Sequence, residues 1–335
     1  MFGFFYWMGT CLMLNDMNIL HIAPTPLVGA PVKVVKALAA VGVNARCLLL
    51  SDYPKQSGLQ GFFTDGAELI NSATAEGEML LRDALEWADV VHVHNFLSEQ
   101  AALIIKEYSS KIFVYQVHSP QREGPVFTPR VNEFGIGFSK YLVLAQYHPR
   151  HYPGYEIVPN LVLFDPVCEE RQGDVLKVLF TPTHARGGRW NSKGDPRLPG
   201  IFEQLVRDCP VEMVSLKGPV TPGKLFEIRT QCHVSIDEIV TGAYHQVSLE
   251  GMAAGNVVVN AADYFSCRML QRISGADRRP PFLNANVDTV YDVLSNLANN
   301  MDLTMGYIRE TASYYRDFMD WRKLVLRYVD VYKAL

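Results

Sequence analysis

No two of the six cysteines are spaced as CxxC, and none stands at metal-ligand spacing. Cys11, Cys47, Cys168, Cys209, Cys232 and Cys267 therefore read as reduced thiols of a cytoplasmic protein, most of them small core residues. The G-x-x-x-x-G-K-[ST] order is absent, which excludes a Walker loop as the phosphate cradle. Neither sign of charge prevails: 31 Lys and Arg face 35 Asp and Glu, for a net charge of -4, so there is no global attraction to nucleic acid or anionic lipid. No internal repeat or low-complexity segment stands out, and no transmembrane segment is expected. Residues Met1 to Asp16 are apolar and aromatic but too short to span a bilayer, and they lack the Lys or Arg that opens a signal peptide. They read as a tail: a flexible extension, an unused upstream start, or a weak anchor that would make the protein peripheral to a membrane.

What is present is an alternation of short Val/Ile/Leu runs with helical patterns. At 335 residues and 48% hydrophobic, that alternation predicts an α/β chain of two domains. Strands are expected over 18–23, 43–50, 88–95, 111–117, 141–145, 156–158, 175–181, 211–218, 233–236 and 257–259. Helices of the length between them build parallel, doubly wound sheets, in which ligands gather at the carboxyl ends of strands. Several polar residues lie at such ends. Gly29 closes the loop after the first strand, Asn95 and His118 end two others, and His92 and His94 alternate on one strand, where structural hydrogen bonding is the default.

Two segments of the second half carry chemistry. The first, Pro182 to Gly194, holds Arg186, Arg189 and Lys193 among glycines and could wrap a phosphate, Arg as a fork of donors and Lys as a mobile point charge; a solvated basic loop is the plainer reading. The second runs from Ile236 to Val259 as strand, polar turn with Gly242, helix from Gln246 to Ala254, and strand. Glu250 sits about two turns into that helix, where it would meet a hydroxyl-rich partner such as a ribose, a buried cation, or a surface salt-bridge partner. The amphipathic stretch 305–335 mixes Tyr307, Phe318, Trp321, Tyr328 and Tyr332 with basic residues, a stripe read as core rather than a nucleic-acid face.

Ser248-Leu249-Glu250-Gly251-Met252-Ala253-Ala254-Gly255-Asn256-Val257-Val258 resembles the "LEAMA.G.PVV" segment of retaining GT-B glycosyltransferases of family 4. "ADVVHVHN", "VYQVHSP" and "IVPNLVLFDP" resemble further segments of that family, in the same order along the chain. The family's first glutamate, eight residues before Glu250, is replaced by Gly242; Asp237, Gly242 and Tyr244 instead follow the "D-x-x-x-x-G-x-Y-G" of a subset, with His245 at its last glycine. The resemblance implies two Rossmann-like domains facing a cleft: a tail over 1–16, an acceptor domain over 17–163, a donor-nucleotide domain over 164–305, and a helix over 306–335 crossing back to the first. It implies transfer of a sugar from a nucleoside-diphosphate sugar, UDP- or GDP-linked, to a hydroxyl of a glycan or lipid-linked sugar, by front-face attack without metal or cofactor. His118, Arg186 and Lys193 would be catalytic. Arg189, Gly242, Ala243, Tyr244, His245, Gln246 and Glu250 would bind the donor, helped by N–H groups at the start of the Tyr244 helix. Gly29 and Asn95 would line the acceptor side. The alternatives are a noncatalytic nucleotide-sugar scaffold, a GT-B epimerase or hydrolase, or a transferase acting on modified DNA bases.

Overall fold

A computed structural model describes residues 17–52, 64–119, 135–148, 150–167, 171, 173–181, 195–216, 218 and 220–335. They fall into two α/β units. The first is drawn from the described residues within 1–144, 149–163 and 321–335, the second from those within 145–148 and 164–320.

In the first unit, β1 (Asn18–Ala23), β2 (Asn44–Leu49), β3 (Glu68–Leu69), β4 (Val90–His94), β5 (Ile112–Val117), β6 (Lys140–Leu144) and β7 (Glu156–Val158) alternate with α1 (Ala30–Ala40), α2 (Ala75–Trp87) and α3 (Glu99–Glu107). Every ladder is parallel and the order is β3-β2-β1-β4-β5-β6-β7. The helices begin where sequence chemistry allows: Pro31 follows the α1 start, and the hydroxyls of Thr74 and Ser98 accept the N–H of Gly77 and Ala101 to cap α2 and α3.

The second unit contains β8 (Leu176–Phe180), α4 (Leu198–Asp208), β9 (Val211–Val214), α5 (Pro222–Thr230), β10 (Val234–Ile236), α6 (Gln246–Ala253), β11 (Val257–Asn260), α7 (Tyr264–Ser274), β12 (Phe282–Asn284), α8 (Val290–Asn299) and α9 (Met301–Phe318). Its parallel sheet has the order β12-β11-β10-β8-β9. Val178, Val234, Ile236, Val257 and Val259 pack with Phe202 and Leu205 of α4 and with Leu294 and Leu297 of α8. Two short helices, α10 (Trp321–Leu324) and α11 (Leu326–Lys333), belong to the first unit.

Strand order locates the places where ligands bind. It reverses between β1 and β4 in the first unit and between β8 and β10 in the second, opening a crevice outside the carboxyl ends of those strands. The segment 305–335, read as one amphipathic stretch, consists of the rest of α9, then α10 and α11; the apolar period continues on both sides of the break, so periodicity hides it. Among the described residues no helix is long and apolar enough to cross a membrane.

Gly251 lies where α6 packs close to the sheet. A Cβ there would stand 3.0 Å from Ser235 Cβ and 3.2 Å from Val258 Cγ2, both on buried strands. Gly251→Ala is therefore expected to lower stability by about 1–3 kcal/mol through overpacking, outweighing the gain of about 1 kcal/mol in helix propensity. A urea midpoint equal to or above that of the parent would refute this packing argument.

Candidate functional site

The second unit's switch point is built around two adjacent carboxylates at the end of β10. Asp237 Oδ2 accepts hydrogen bonds from the His245 N–H at 2.7 Å, the Ser248 N–H at 3.3 Å and the Ser248 hydroxyl at 2.7 Å. It therefore caps α6 from outside the helix, which explains the need for an acidic side chain at this place. The His245 N–H, among the groups assigned from sequence to the donor, is thus occupied by protein, as is the N–H of Ser248 in the first turn of α6. Glu238 is fully buried and accepts from the N–H groups of Val240 and Thr241 at 2.9 and 2.6 Å and from the Thr241 hydroxyl. Burial raises its carboxyl pKa, while these hydrogen bonds oppose the rise. Its carboxylate holds the loop rather than presenting itself to a ligand.

Gly242, at the position of the family's absent glutamate, has φ 81°, a conformation that favours glycine. Its carbonyl accepts from the Asp263 N–H and the Ser266 hydroxyl. Ala243 and the Tyr244 ring are buried, the ring tilted against Phe282. His245 is buried with Nδ1 3.7 Å from Asp237 Oδ1, and Gln246, half-buried, opens α6.

Glu250 meets a buried cation, one of the partners left open by the sequence, which did not indicate the residue that supplies it. Its Oε2 lies 3.6 Å from Nη2 of Arg229, whose side chain is 1% exposed against 13% for Glu250. Arg229 donates from Nη1 to the Ser235 hydroxyl, which donates to Asn256 Oδ1. Asn256 in turn donates to the carbonyls of Arg229 and Cys232. Desolvation lowers the Arg229 pKa, and the nearby Glu250 and Asp237 oppose that shift. Glu250 thus lies beside a buried guanidinium, in an ion pair at 3.6 Å. Arg186, Arg189 and Lys193 lie outside the described residues. Phe180, at the end of β8 where their loop departs, pairs with Ile236 beside Asp237.

At the first unit's switch point, Asn95 follows β4 with φ 57°, and its side-chain oxygen accepts the His118 N–H at 2.7 Å. Gly29 has φ 77° and precedes α1; Leu27 and Val28 before it also have positive φ, at 47° and 56°. His118 Nε2 is 2.7 Å from His94 Nδ1, and His94 Nε2 is 2.9 Å from His21 Nδ1. Tyr332 of α11 places its hydroxyl 3.2 Å from His21 Nε2 and 2.7 Å from His92 Nδ1. Strand register produces this cluster, because His21 on β1 pairs with His92 on β4, and His94 lies two residues further along the same face. Burial pushes His21 and His118 down to about 3, and holds His92 and His94 well below the usual range, so all four rings are neutral.

His21, His92 and His94 are also, among the described residues, a group whose ligand atoms lie within 4.8 Å of one another and could hold a metal ion. The present geometry favours hydrogen bonding. His21 and His94 have ring centroids 5.2 Å apart and nitrogens 2.9 Å apart, so they meet edge to edge. The His92 and His94 planes are within 7° of parallel, so their in-plane lone pairs do not converge.

No protein-family model matches the sequence, and no curated protein does. Solved structures do match. The Anabaena protein HepE in complex with UDP and glucose is 12% identical, with a TM-score of 0.63 over 96% of this chain and 100% of its own. An alpha-glucosyltransferase in complex with UDP-glucose and DNA containing an abasic site is 9% identical, with a TM-score of 0.63 over 95% and 99%. Sucrose-phosphate synthase from Thermosynechococcus elongatus is 12% identical, with a TM-score of 0.58 over 95% and 98%. With two parallel-sheet Rossmann-like units matching these structures over nearly the whole chain, this protein has the GT-B fold.

Proposed function

We propose that the protein is a retaining glycosyltransferase, similar to family 4, that moves a sugar from a nucleoside-diphosphate sugar to a hydroxyl acceptor without a metal. The observation that carries this reading is Glu250, paired with the buried Arg229 and placed on the helix that leaves the second unit's switch point, where a donor ribose would offer its hydroxyl groups. Solved structures of the same fold are described with UDP, glucose and UDP-glucose, which makes a UDP-sugar the first donor to try. Lys193, with Arg186 or Arg189, offsets charge developing on the departing diphosphate, and that phosphate takes the acceptor's proton. Glu250 selects the ribose, while the loop from Gly242 to Gln246 contacts the donor through its backbone and His118 meets the sugar. Gly29 and Asn95 contribute to the acceptor side. The alpha-glucosyltransferase solved with DNA makes a modified DNA base the second acceptor class to test.

The test is thermal stabilisation by UDP-, GDP-, ADP-, CMP- and dTDP-sugars in the presence of a chelator. A donor at about 100 times its Kd adds about 2.7 kcal/mol of stability. A selective, chelator-insensitive shift with a UDP-sugar is expected, followed by release of UDP when acceptor is supplied. Binding without turnover on any glycan, lipid-linked or DNA acceptor would indicate a scaffold, and no shift with any donor would defeat the site assignment.

A further inference from the structure

Helix α7 turns aromatic and basic side chains to solvent together. It starts at Asp263, whose carboxylate accepts the Ser266 N–H at 3.0 Å, and stops at Gly275 with φ 71°. Ser266, Leu270 and Ile273 recur at i, i+4 and i+7 and are buried, so the opposite side faces outward. That side carries Tyr264, Arg268 and Arg272 at i, i+4 and i+8, all exposed, with Phe265 on its flank. Tyr264 is 61% exposed and Phe265 49%, with ring centroids 5.7 Å apart and edge to face. A single exposed apolar residue is ordinary, whereas adjacent aromatic rings on a rigid helix point to a contact surface. The helix is anchored at this end, because the Gly242 carbonyl accepts from the Asp263 N–H at 3.0 Å and the Ser266 hydroxyl at 2.9 Å.

The charge around these rings is mostly of one sign. From residue 264 to residue 287 the chain has four arginines, Arg268, Arg272, Arg278 and Arg279, against Asp277 alone, although its total charge is -4. Arg278 pairs with Asp277 at 3.3 Å and with Asp317 at 3.8 Å, and lies over the Tyr314 and Phe318 rings. Arg268, Arg272 and Arg279 are exposed and make no ion pair among the described residues. The helix dipole accounts for Arg272 in the last turn, but not for Arg268 in the middle.

We propose that this face of α7 binds single-stranded nucleic acid, with a base stacked on Tyr264 beside Phe265 and phosphates held by Arg268, Arg272 and Arg279. A guanidinium fork matches a phosphodiester, and every unpaired base offers a π-face to an aromatic ring. Arg268 and Arg272 lie about 6 Å apart along the helix axis, in line with Tyr264, so one extended strand meets the ring and then both cations. A lipid surface fits less well, because the apolar side of α7 is already buried against protein and only two rings project, both at one end. Duplex keeps its bases stacked inside and leaves Tyr264 without a partner. The binding needs no donor and stands apart from the transferase reading.

Titration of the full chain into fluorescein-labelled oligothymidylate, followed by anisotropy across a salt series, tests the proposal. For single strands the slope of log K on log salt is about -0.7 per phosphate neutralised. Arg268→Gln/Arg272→Gln is expected to flatten that slope by about 1.4. Tyr264→Ala is expected to weaken binding about tenfold, the worth of one stacked base, and to leave the slope unchanged. All three side chains are exposed, so both variants should keep the urea midpoint of the parent. Absence of binding at low salt, or a slope indifferent to both arginines, would overturn the proposal. So would parent protein that binds duplex or phosphatidylglycerol vesicles as tightly as the single strand, whatever the variants do. Donor is absent throughout, so a failure of the transferase reading, seen as absence of donor binding, is a separate result.

Discussion

Acidification from pH 7 to pH 5 is expected to remove on the order of 7 kcal/mol of stability from the first unit, about half or more of what a domain of ordinary stability has. The source is the set of four neutral histidines. In the unfolded chain each titrates near 6.5, whereas in the native state His21 and His118 titrate at about 3, and His92 and His94 well below the usual value, mainly because burial opposes the charged form. Native protein therefore binds fewer protons than unfolded protein between those values. The stability conferred by keeping the rings neutral is complete above pH 6.5 and declines as pH falls toward 3. Each ring contributes about 1.4 kcal/mol per pH unit within that window, giving a combined slope of roughly 5 kcal/mol per unit. Neighbouring groups do not soften the effect: the Tyr328 and Tyr332 phenols and the Cys47 thiol beside His21 are all raised by burial and remain neutral. Urea unfolding of the transition that includes β4 and β5, followed at pH 7, 6 and 5, measures the slope. A value of about 1.4 kcal/mol per unit or less, corresponding to a single proton, would mean that most of these rings are not buried and neutral.

Glu250→Ala is expected to damage stability and donor binding together. It removes the ion-pair partner of the Arg229 guanidinium, 1% exposed, and leaves Asp237 as the nearby negative charge, and breaking a buried pair costs roughly 3–5 kcal/mol. Loss of activity in this variant alone would therefore say little about the ribose. The double variant Glu250→Ala/Arg229→Met separates the two effects. Removing both charges should return stability to within about 1–2 kcal/mol of the parent, because a buried pair replaced by apolar groups is often neutral. Donor binding should remain lost, because nothing else on α6 provides the carboxylate. Urea denaturation and UDP-sugar titration of the parent, both single variants and the double variant complete the cycle. Full stability in Glu250→Ala would deny the ion pair its role; donor binding recovered in the double variant would deny Glu250 its contact with the ribose.

Much of this architecture could be read from local pattern. The strands that form both sheets are Val/Ile/Leu runs between turn residues, and the helix carrying Glu250 begins and ends within a residue of its expected limits. β3, formed by Glu68 and Leu69, is two exposed residues long, too short to have a period. α4 follows Pro196 and contains Pro199, and β12 follows Pro280-Pro281, so proline obscured both. Arg229 was invisible for a different reason. It sits on α5 with no surrounding motif, and only the packing of α5 against the strand bearing Ser235 turns one of 31 basic residues into a buried cation. The histidine cluster needed two facts absent from a linear reading: the in-register pairing of His21 with His92, and the return of Tyr332 to their face of the sheet. Glu238 carried a signal that could have been followed, since an acidic residue two positions after a buried strand and three before a threonine suits a loop-closing carboxylate.

Residues 321–335 belong to the first unit although the whole second unit precedes them in the chain. On the ribosome, therefore, the amino-terminal sheet emerges long before the two tyrosines that complete it, and must wait through the synthesis of about half the protein with His21, His92 and Gln116 lacking their native hydroxyl partners. Its completion therefore comes late, after the second unit has been made, even though most of its residues are made first.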